Sequence, residues 1–145
     1  MKKHVLMDTG PLVASLNRRD RYHRWAKARL GELDPPISTC EPVLAEACFL
    51  LRDTPGGGAA VLTLVERGVL LVDFQVTPHA RSLATLMTKY ADVPMSLADA
   101  CLVRMTELDG RRAVMTLDGD FLVYRRHGRQ VIPVMMPPEL AAPSR

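Results

Sequence analysis

The stretch Val5-Leu6-Met7-Asp8-Thr9-Gly10-Pro11-Leu12 decides the fold, because it places an acid between a short apolar strand and a helix. A short apolar run is typical of a buried strand, and proline is favoured at a helix start, so a helix is predicted to begin near Leu12. Similar apolar segments recur at Ile37-Ser38-Thr39, Val69-Leu70-Leu71-Val72, Ala113-Val114-Met115-Thr116 and Val131-Ile132-Pro133-Val134. The chain is therefore predicted to contain a sheet of short strands.

Helical patterns separate these strands. The later predicted helices are Tyr22–Leu30, closed by Gly31 and Pro35-Pro36, Glu41–Leu51, Ala59–Glu66 after the break at Pro55–Gly58, Pro78–Tyr90 and Ser96–Leu108. Strands that alternate with helices indicate right-handed crossovers and a mostly parallel sheet covered by helices on both faces. Such sheets bind ligands at the carboxyl ends of their strands, where Asp8 and Asp118 fall.

Size and charge set further bounds. The chain has 145 residues, of which 48% are hydrophobic, and this is enough for one domain with a substantial core. We expect a single domain over residues 1–135 and a loose tail over residues 136–145. The net charge is +3 and most basic residues are arginine, which favours an anionic partner modestly. The candidate basic patches are Arg18, Arg19, Arg21, Arg24, Lys27 and Arg29, and separately Arg125, Arg126 and Arg129.

The cysteine pattern and the hydropathy favour the cytoplasm. Cys40, Cys48 and Cys101 are odd in number and show no zinc spacing with the histidines, so we interpret them as small buried apolar residues. The apolar run before Asp8 is too short for a secretory signal, and no stretch is long enough to span a bilayer. We therefore expect a cytoplasmic protein without a membrane partner.

Four acids that are far apart in the sequence lie in or beside apolar stretches: Asp8, Glu46, Asp99 and Asp118. An unpaired carboxylate is unfavourable in such surroundings, and a bound cation is one way to compensate its charge. Clusters of oxygen ligands select hard divalent ions such as magnesium or manganese. The four acids therefore suggest one metal site and an ion-dependent reaction.

Each acid also has a structural explanation. Asp8 suits the cap of the helix that follows it, and Ser96-Leu97-Ala98-Asp99 matches a capping box. Glu46 borders the apolar stripe of its helix and suits a solvent-facing position. Asp118-Gly119 between apolar runs is a strong signal for a tight hairpin. For each acid taken alone, the structural explanation is about as well supported as a functional role. Only the pattern of all four acids together can distinguish the two.

The joint pattern resembles a PIN domain, and within that family the VapC ribonuclease toxins of bacterial toxin–antitoxin pairs. The segments that carry the resemblance are Met7-Asp8-Thr9-Gly10-Pro11-Leu12-Val13-Ala14, Thr39-Cys40-Glu41-Pro42-Val43-Leu44-Ala45-Glu46, Tyr90-Ala91-Asp92-Val93-Pro94-Met95-Ser96-Leu97-Ala98-Asp99-Ala100 and Thr116-Leu117-Asp118-Gly119-Asp120-Phe121. They span nearly the whole chain in the order and spacing of the family.

The resemblance implies a three-layer α/β/α sandwich and a magnesium- or manganese-dependent endoribonuclease. It assigns the catalytic and metal-binding roles to Asp8, Glu46, Asp99 and Asp118, with Asp120 as an auxiliary ligand. By the same resemblance the supporting residues are Thr9, Thr116 and the loop acid Asp92. The expected substrate is RNA with a single-stranded or loop region, and Arg18, Arg19 and Arg21 are the candidates for binding its flanking phosphates. A small inhibitory antitoxin protein is the expected partner, and a homodimer is left open.

Several alternatives remain at this stage. The chain suits a PIN-fold RNA-processing nuclease outside a toxin pair, or a non-catalytic module that binds nucleic acid or a protein partner. A phosphatase of the haloacid dehalogenase type is disfavoured, because it needs an acid two residues after Asp8, where Gly10 stands. A histidine-based ribonuclease is disfavoured because the histidines show no pairing. The RNA target and the number of metal ions are left open by the sequence.

Overall fold

A parallel sheet forms the centre of the protein, which is described by a computed structural model over residues 4–141. Within this range the strands are β1 (Val5–Met7), β2 (Ile37–Thr39), β3 (Leu70–Val72), β4 (Ala113–Met115), β5 (Arg125–Arg126), β6 (Gln130–Val131) and β7 (Val134–Met135). Five of them form the sheet in the order β3-β2-β1-β4-β7, and every neighbouring pair is parallel. The other two, β5 and β6, form a separate antiparallel hairpin.

Helices flank this sheet. They are α1 (Thr9–Leu16), α2 (His23–Glu32), α3 (Glu41–Leu50), α4 (Gly57–Glu66), α5 (Ala80–Lys89), α6 (Leu97–Leu108) and the short α7 (Pro138–Ala141), with 3-10 helices at Thr77–His79 and Gly119–Leu122. Right-handed crossovers place α1 to α4 on one face of the sheet and α5 with α6 on the other. The packing agrees, since α1 contacts α2 and α3, α3 contacts α4, and α5 contacts α6. The predicted α/β sandwich with a parallel sheet is confirmed.

The order of the strands creates a switch point between β1 and β4. From β1 the chain moves outward to β2 and β3, and it then returns to the opposite side of β1 to form β4. Crossovers that leave in opposite directions open a crevice at the carboxyl ends of these two strands. Asp8 directly follows β1 and Thr116 directly follows β4, so both lie at this crevice.

The core lies between the sheet and the helices, and β1, α1 and α6 contribute many of its fully buried side chains. Leu6, Leu12 and Leu102 have no exposed surface. Eight of the twelve residues of α6 are buried, which agrees with its apolar sequence on nearly all sides. A helix that is buried this extensively holds its first turn, and therefore Asp99, in a fixed position inside the protein.

Several predicted bounds differ from the structure. α1 begins at Thr9 rather than near Leu12, because the Asp8 carboxylate accepts a hydrogen bond from the Thr9 amide and caps the helix. α2 continues through Gly31, which was predicted to end it. The predicted strand Val131–Val134 is divided, since Val131 pairs within the hairpin and Val134 pairs with β4.

The hairpin interpretation of Asp118-Gly119, one of two that the sequence leaves open, is wrong. The segment forms a 3-10 helix instead, and Asp118 caps it by accepting a hydrogen bond from the Asp120 amide at 2.9 Å. The hairpin that the chain does form, β5–β6, was not predicted. It turns through His127 and Gly128, both with positive φ, and its strands are too short to show alternation.

The carboxyl terminus is described as far as Ala141. Pro138–Ala141 form α7, which contacts the 3-10 helix Gly119–Leu122, and residues 142–145 of the predicted loose tail lie outside the described residues. The domain boundary at residue 135 stays a prediction. Within residues 4–141, no helix has both the length and the apolar character needed to cross a bilayer.

Two glycine substitutions test the helix packing. Gly31→Ala should raise the free energy of unfolding by about 0.5–1 kcal/mol, because alanine favours the helix and the added methyl group meets no atom within 4 Å. Gly58→Ala should lower it by roughly 1 kcal/mol, because the methyl group would lie 3.0 Å from Cβ and Sγ of Cys48 on α3. Urea unfolding of both variants measures the difference, and a loss of stability in Gly31→Ala would contradict the packing of α2.

Candidate active site

A cleft of about 560 Å³, called the acid pocket below, opens at the switch point of the sheet. Its lining residues are Asp8, Thr9, Gly10, Glu46, Leu50, Pro94, Ser96, Asp99, Leu117, Asp118, Gly119 and Asp120. The lining includes all four acids singled out in the sequence, together with the auxiliary acid Asp120. They come from the end of β1, from α3, from the first turn of α6 and from the segment after β4.

Asp8 is held by bonds to both of its carboxylate oxygens. Oδ1 accepts a hydrogen bond from the Thr9 amide at 2.8 Å, and Oδ2 accepts one from the Thr116 hydroxyl at 2.6 Å. Because Thr116 lies 108 residues away in sequence, this bond joins the ends of β1 and β4. The same Thr116 oxygen accepts a hydrogen bond from the Asp118 amide at 2.9 Å. Thr116 therefore positions two of the acids at once.

Glu46 is positioned by the other threonine. The Thr9 hydroxyl donates to Glu46 Oε1 at 2.8 Å, so the carboxylate of α3 is tied to the end of β1. The residue is exposed, as a position at the border of an apolar stripe predicts, but its carboxylate lies at the acid pocket. Thr9 and Thr116, predicted as supporting residues, thus contact the acids directly.

Asp99 is bound from two sides. Its amide donates to the Ser96 hydroxyl at 3.0 Å, which is the predicted cap of α6, and its Oδ2 accepts a hydrogen bond from the Tyr124 hydroxyl at 2.8 Å. Tyr124 has no exposed surface and packs edge-on against Tyr90 and Phe121. Sequence reasoning missed Tyr124, because a buried tyrosine that serves a site looks the same in sequence as one that only fills the core.

The pocket raises the pKa values of its acids. Burial raises the pKa of Asp8 to about 7, and the nearby charges of Asp99 and Asp118 add to the effect. Burial and the charge of Asp118 also raise the pKa of Asp99, although the Tyr124 hydrogen bond opposes the shift. Desolvation and the charge of Asp118 raise the pKa of Asp120. Each shift has the direction expected for a carboxylate whose negative charge is only partly compensated.

The donor set fits a hard divalent cation. One carboxylate oxygen from each of Asp99, Asp118 and Asp120 lies within 4.8 Å of the other two. In the described part of the chain, no lysine or arginine lines the acid pocket. Oxygen ligands of this kind suit magnesium or manganese better than soft metals. Asp120, predicted to be auxiliary, belongs to the tightest group of acids, while Asp8 and Glu46 line the same pocket around it.

The remaining predicted residues lie outside the acid pocket. Asp92 is exposed and is not among the pocket's lining residues. Arg18 and Arg19, beyond the far end of α1, line a separate cleft of about 790 Å³ together with Asp53 and Thr54. Arg21 is exposed, and its guanidinium lies 5.3 Å from the centre of the Tyr22 ring. The structure therefore does not bring these residues to the acids.

Comparison with solved structures identifies the fold. The chain superposes on the crystal structure of Mycobacterium tuberculosis VapC20, a Sarcin-Ricin loop cleaving toxin, with a TM-score of 0.72 and 22% sequence identity. The match covers 89% of this chain and 99% of the toxin. The chain has a PIN-like fold. No protein-family model matches the sequence, and no curated protein matches it either. The PIN-like fold thus agrees with the resemblance found from the sequence motifs.

Replacing Asp8 tests the charge of the pocket. Because the folded-state pKa of Asp8 is raised from 3.8 to about 7, the folded state keeps a proton that the unfolded chain releases. Without metal, this residue should therefore reduce stability as the pH rises from about 4 to 7, by up to about 4 kcal/mol. Asp8→Asn should be more stable than the wild type above pH 7 in EDTA, and the two should converge near pH 4, measured by urea unfolding.

A control for this experiment should show the opposite sign. Hydrogen bonds from Arg111 lower the pKa of Asp109 to about 2, so its ionised form stabilises the fold at neutral pH. Asp109→Asn should therefore lose stability slightly at pH 7, and the loss should disappear as the pH falls towards 2. If Asp8→Asn also loses stability above pH 7 in EDTA, the uncompensated charge of Asp8 is disproved.

Tyr124→Phe tests the support of Asp99. It removes the donor to Asp99 Oδ2, so we expect a loss of about 1–2 kcal/mol in the free energy of unfolding at pH 8, and the loss should become smaller as the pH falls and the Asp99 carboxylate takes up a proton. Tyr90→Phe is the matched control, because the Tyr90 hydroxyl accepts from the uncharged Arg125 amide and its loss should not depend on pH. Equal pH dependence in both variants would exclude a bond to an ionised Asp99.

Proposed function

We propose that this chain is a metal-dependent endoribonuclease that hydrolyses phosphodiester bonds of RNA. The proposal rests chiefly on one observation. Five acids from four separate segments meet in one pocket at the switch point of a PIN-like sheet, and no basic residue lines that pocket within residues 4–141. A site of this composition attracts cations, and it repels an anionic substrate unless a cation is present.

Asp99, Asp118 and Asp120 are the proposed metal ligands, since their oxygens can approach one another most closely. Asp8 and Glu46 complete the site, directly or through water. Each Asp8 oxygen accepts one hydrogen bond and keeps a lone pair for a further contact. Bound magnesium or manganese would activate a water and stabilise the leaving oxygen of the phosphodiester. The threonines and Tyr124 keep the carboxylates in place, so that the site is formed before the substrate arrives.

RNA is the proposed substrate. The superposed VapC20 is a Sarcin-Ricin loop cleaving toxin, and the open acid pocket of about 560 Å³ suits a single strand with an exposed backbone. The net charge is +3 although five acids converge on one pocket, so the rest of the surface is more positive than the total suggests. The cleft with Arg18 and Arg19 is the proposed binding site for flanking phosphates, and Arg21 lies close to it in sequence.

The toxin of a toxin–antitoxin pair is the proposed biological role. This role is inferred from the likeness to VapC20, and it implies a small antitoxin protein as the partner and a cytoplasmic reaction. The proposed ion is magnesium or manganese.

Carboxamide variants test the proposed activity. Asp8→Asn and Asp99→Asn should reduce cleavage of total cellular RNA by about 100-fold or more in the presence of magnesium or manganese, because each removes a negative ligand from the acid pocket. EDTA should abolish cleavage by the wild type. Gel analysis with cleavage-site mapping measures both effects. Equal cleavage by the wild type and Asp8→Asn would refute the proposal.

Two control variants separate site effects from surface effects. Asp34→Asn removes an exposed acid before the amino end of β2, on the side of the sheet away from the acid pocket, and should retain full activity. Asp92→Asn should also retain most of the activity, because Asp92 does not line the pocket.

Expression of the wild type should arrest growth, and Asp8→Asn should relieve the arrest. Cleavage without growth arrest would retain the nuclease and exclude the toxin role.

A further inference from the structure

An exposed aromatic ring lies one helical turn beyond the acid pocket. α3 carries Glu46 at the pocket and Phe49 three residues later, and the Phe49 side chain is 63% exposed. Leu50, its neighbour, is 54% exposed. Single exposed apolar side chains are common, but two adjacent ones form a contiguous apolar patch, and a patch beside a site suits a binding surface.

The ring belongs to a groove that continues from the acid pocket. Ala45, Glu46, Phe49 and Leu50 line a cleft of about 460 Å³, and two of these residues, Glu46 and Leu50, also line the acid pocket. A ligand whose reactive bond lies among the acids therefore extends over the face of Phe49 without leaving the surface of α3. The groove is almost wholly apolar apart from the Glu46 carboxylate.

Arg52 holds the ring and adds a positive charge. Its guanidinium lies 4.0 Å from the centre of the Phe49 ring, and its Nη1 donates to the Phe49 carbonyl oxygen at 2.8 Å. The guanidinium lies over the ring, yet 63% of Phe49 stays exposed, so ring surface remains free for a further contact. An oriented aromatic face beside a cation is the arrangement on which proteins stack nucleobases.

We propose that Phe49 is a stacking platform for an unpaired nucleobase next to the cleaved phosphodiester bond, with Arg52 orienting the ring and attracting the strand. This proposal rests on the proposed ribonuclease function and specifies how its substrate is held. The base must be unpaired at that position, because a base inside a duplex cannot present its face to a side chain.

Arg18, Arg19 and Arg52 lie beyond the carboxyl ends of α1 and α3. Asp53, whose Oδ2 lies 3.9 Å from Arg52 Nε, offsets part of their charge, but the excess is positive and favours a nucleic acid strand over a peptide as the occupant. α1 and α3 pack side by side and run from the acid pocket towards the cleft that contains Arg18 and Arg19. That cleft lies beyond the end of α1, whose eight residues span about 12 Å. Along this path the surface presents first the acid pocket, then the Phe49 ring beside Arg52, and finally the cleft with Arg18 and Arg19. A strand with a reactive phosphate, a base and a further phosphate matches this order.

Binding experiments with magnesium, in an Asp8→Asn background that prevents cleavage, test the platform separately from catalysis. The probe is short single-stranded oligoadenylate with a fluorescent label, measured by anisotropy at low ionic strength, and the wild type for binding is the chain with Phe49 in this background. Phe49→Ala should weaken binding about ten-fold, and Phe49→Leu should weaken it similarly because leucine keeps the apolar surface but has no aromatic face. Phe49→Tyr and Phe49→Trp should retain the affinity of the wild type. Thermal unfolding of each variant checks that the fold is kept.

An abasic oligonucleotide of the same length and charge is the matched control. It should bind equally to the wild type and to Phe49→Ala, because it has no base to stack. Wild-type affinity in Phe49→Leu would overturn the proposal, and so would an equal loss of affinity for the abasic strand in Phe49→Ala. Unchanged binding of oligoadenylate by Phe49→Ala would also overturn it, and would leave the groove to a protein partner.

The two proposals fail in different ways. If the wild type binds oligoadenylate through Phe49 but cleaves no RNA with magnesium or manganese, the ribonuclease function fails and the platform stands. If the wild type cleaves RNA and Phe49→Ala cleaves it with an unchanged KM, the platform fails and the ribonuclease function stands.

Discussion

Repulsion among carboxylates in one pocket is the constraint on which the rest of the structure depends. Asp8 and Asp99 are buried, and Asp118 adds its charge to both. No basic side chain lines the pocket in the described residues, so neutral donors have to hold the acids apart. The hydroxyls of Thr116 and Tyr124 do this, together with backbone amides. A bound cation would supply the charge that these neutral donors cannot.

The fold explains why these donors are where they are. The acids come from the ends of two adjacent parallel strands and from the helices that pack beside them. Strands of three residues are therefore long enough to build the acid pocket, because only their carboxyl ends contribute to it. The extensive burial of α6 fixes Asp99, and the packing of Tyr124 between Tyr90 and Phe121 fixes the donor opposite it. Packing energy from the core thus maintains an electrostatically unfavourable arrangement at the surface.

Three acids have a structural role in the fold, and this role does not remove them from the pocket. Asp8 caps α1, the amide of Asp99 completes the predicted capping bond to Ser96, and Asp118 caps the 3-10 helix after β4, while all three line the acid pocket. This is possible because Asp8 and Asp118 cap through one oxygen only and Asp99 takes part in its cap through its amide, so each carboxylate keeps lone pairs for a further contact. The hairpin expected at Asp118 failed because the same Asp-Gly signal also suits a capped 3-10 turn.

The sequence by itself determined the alternation of strands and helices, the four separated acids and the caps, because each depends on neighbours within one or two turns of chain. Only the tertiary structure decided which donors serve which acid. The bond from Thr116 to Asp8 spans 108 residues, and the bond from Tyr124 to Asp99 spans 25. It also decided that Asp120 joins the closest group of acids and that Asp92 does not line the pocket. Such contacts depend on the three-dimensional path of the chain, and a local pattern of residues contains no information about it.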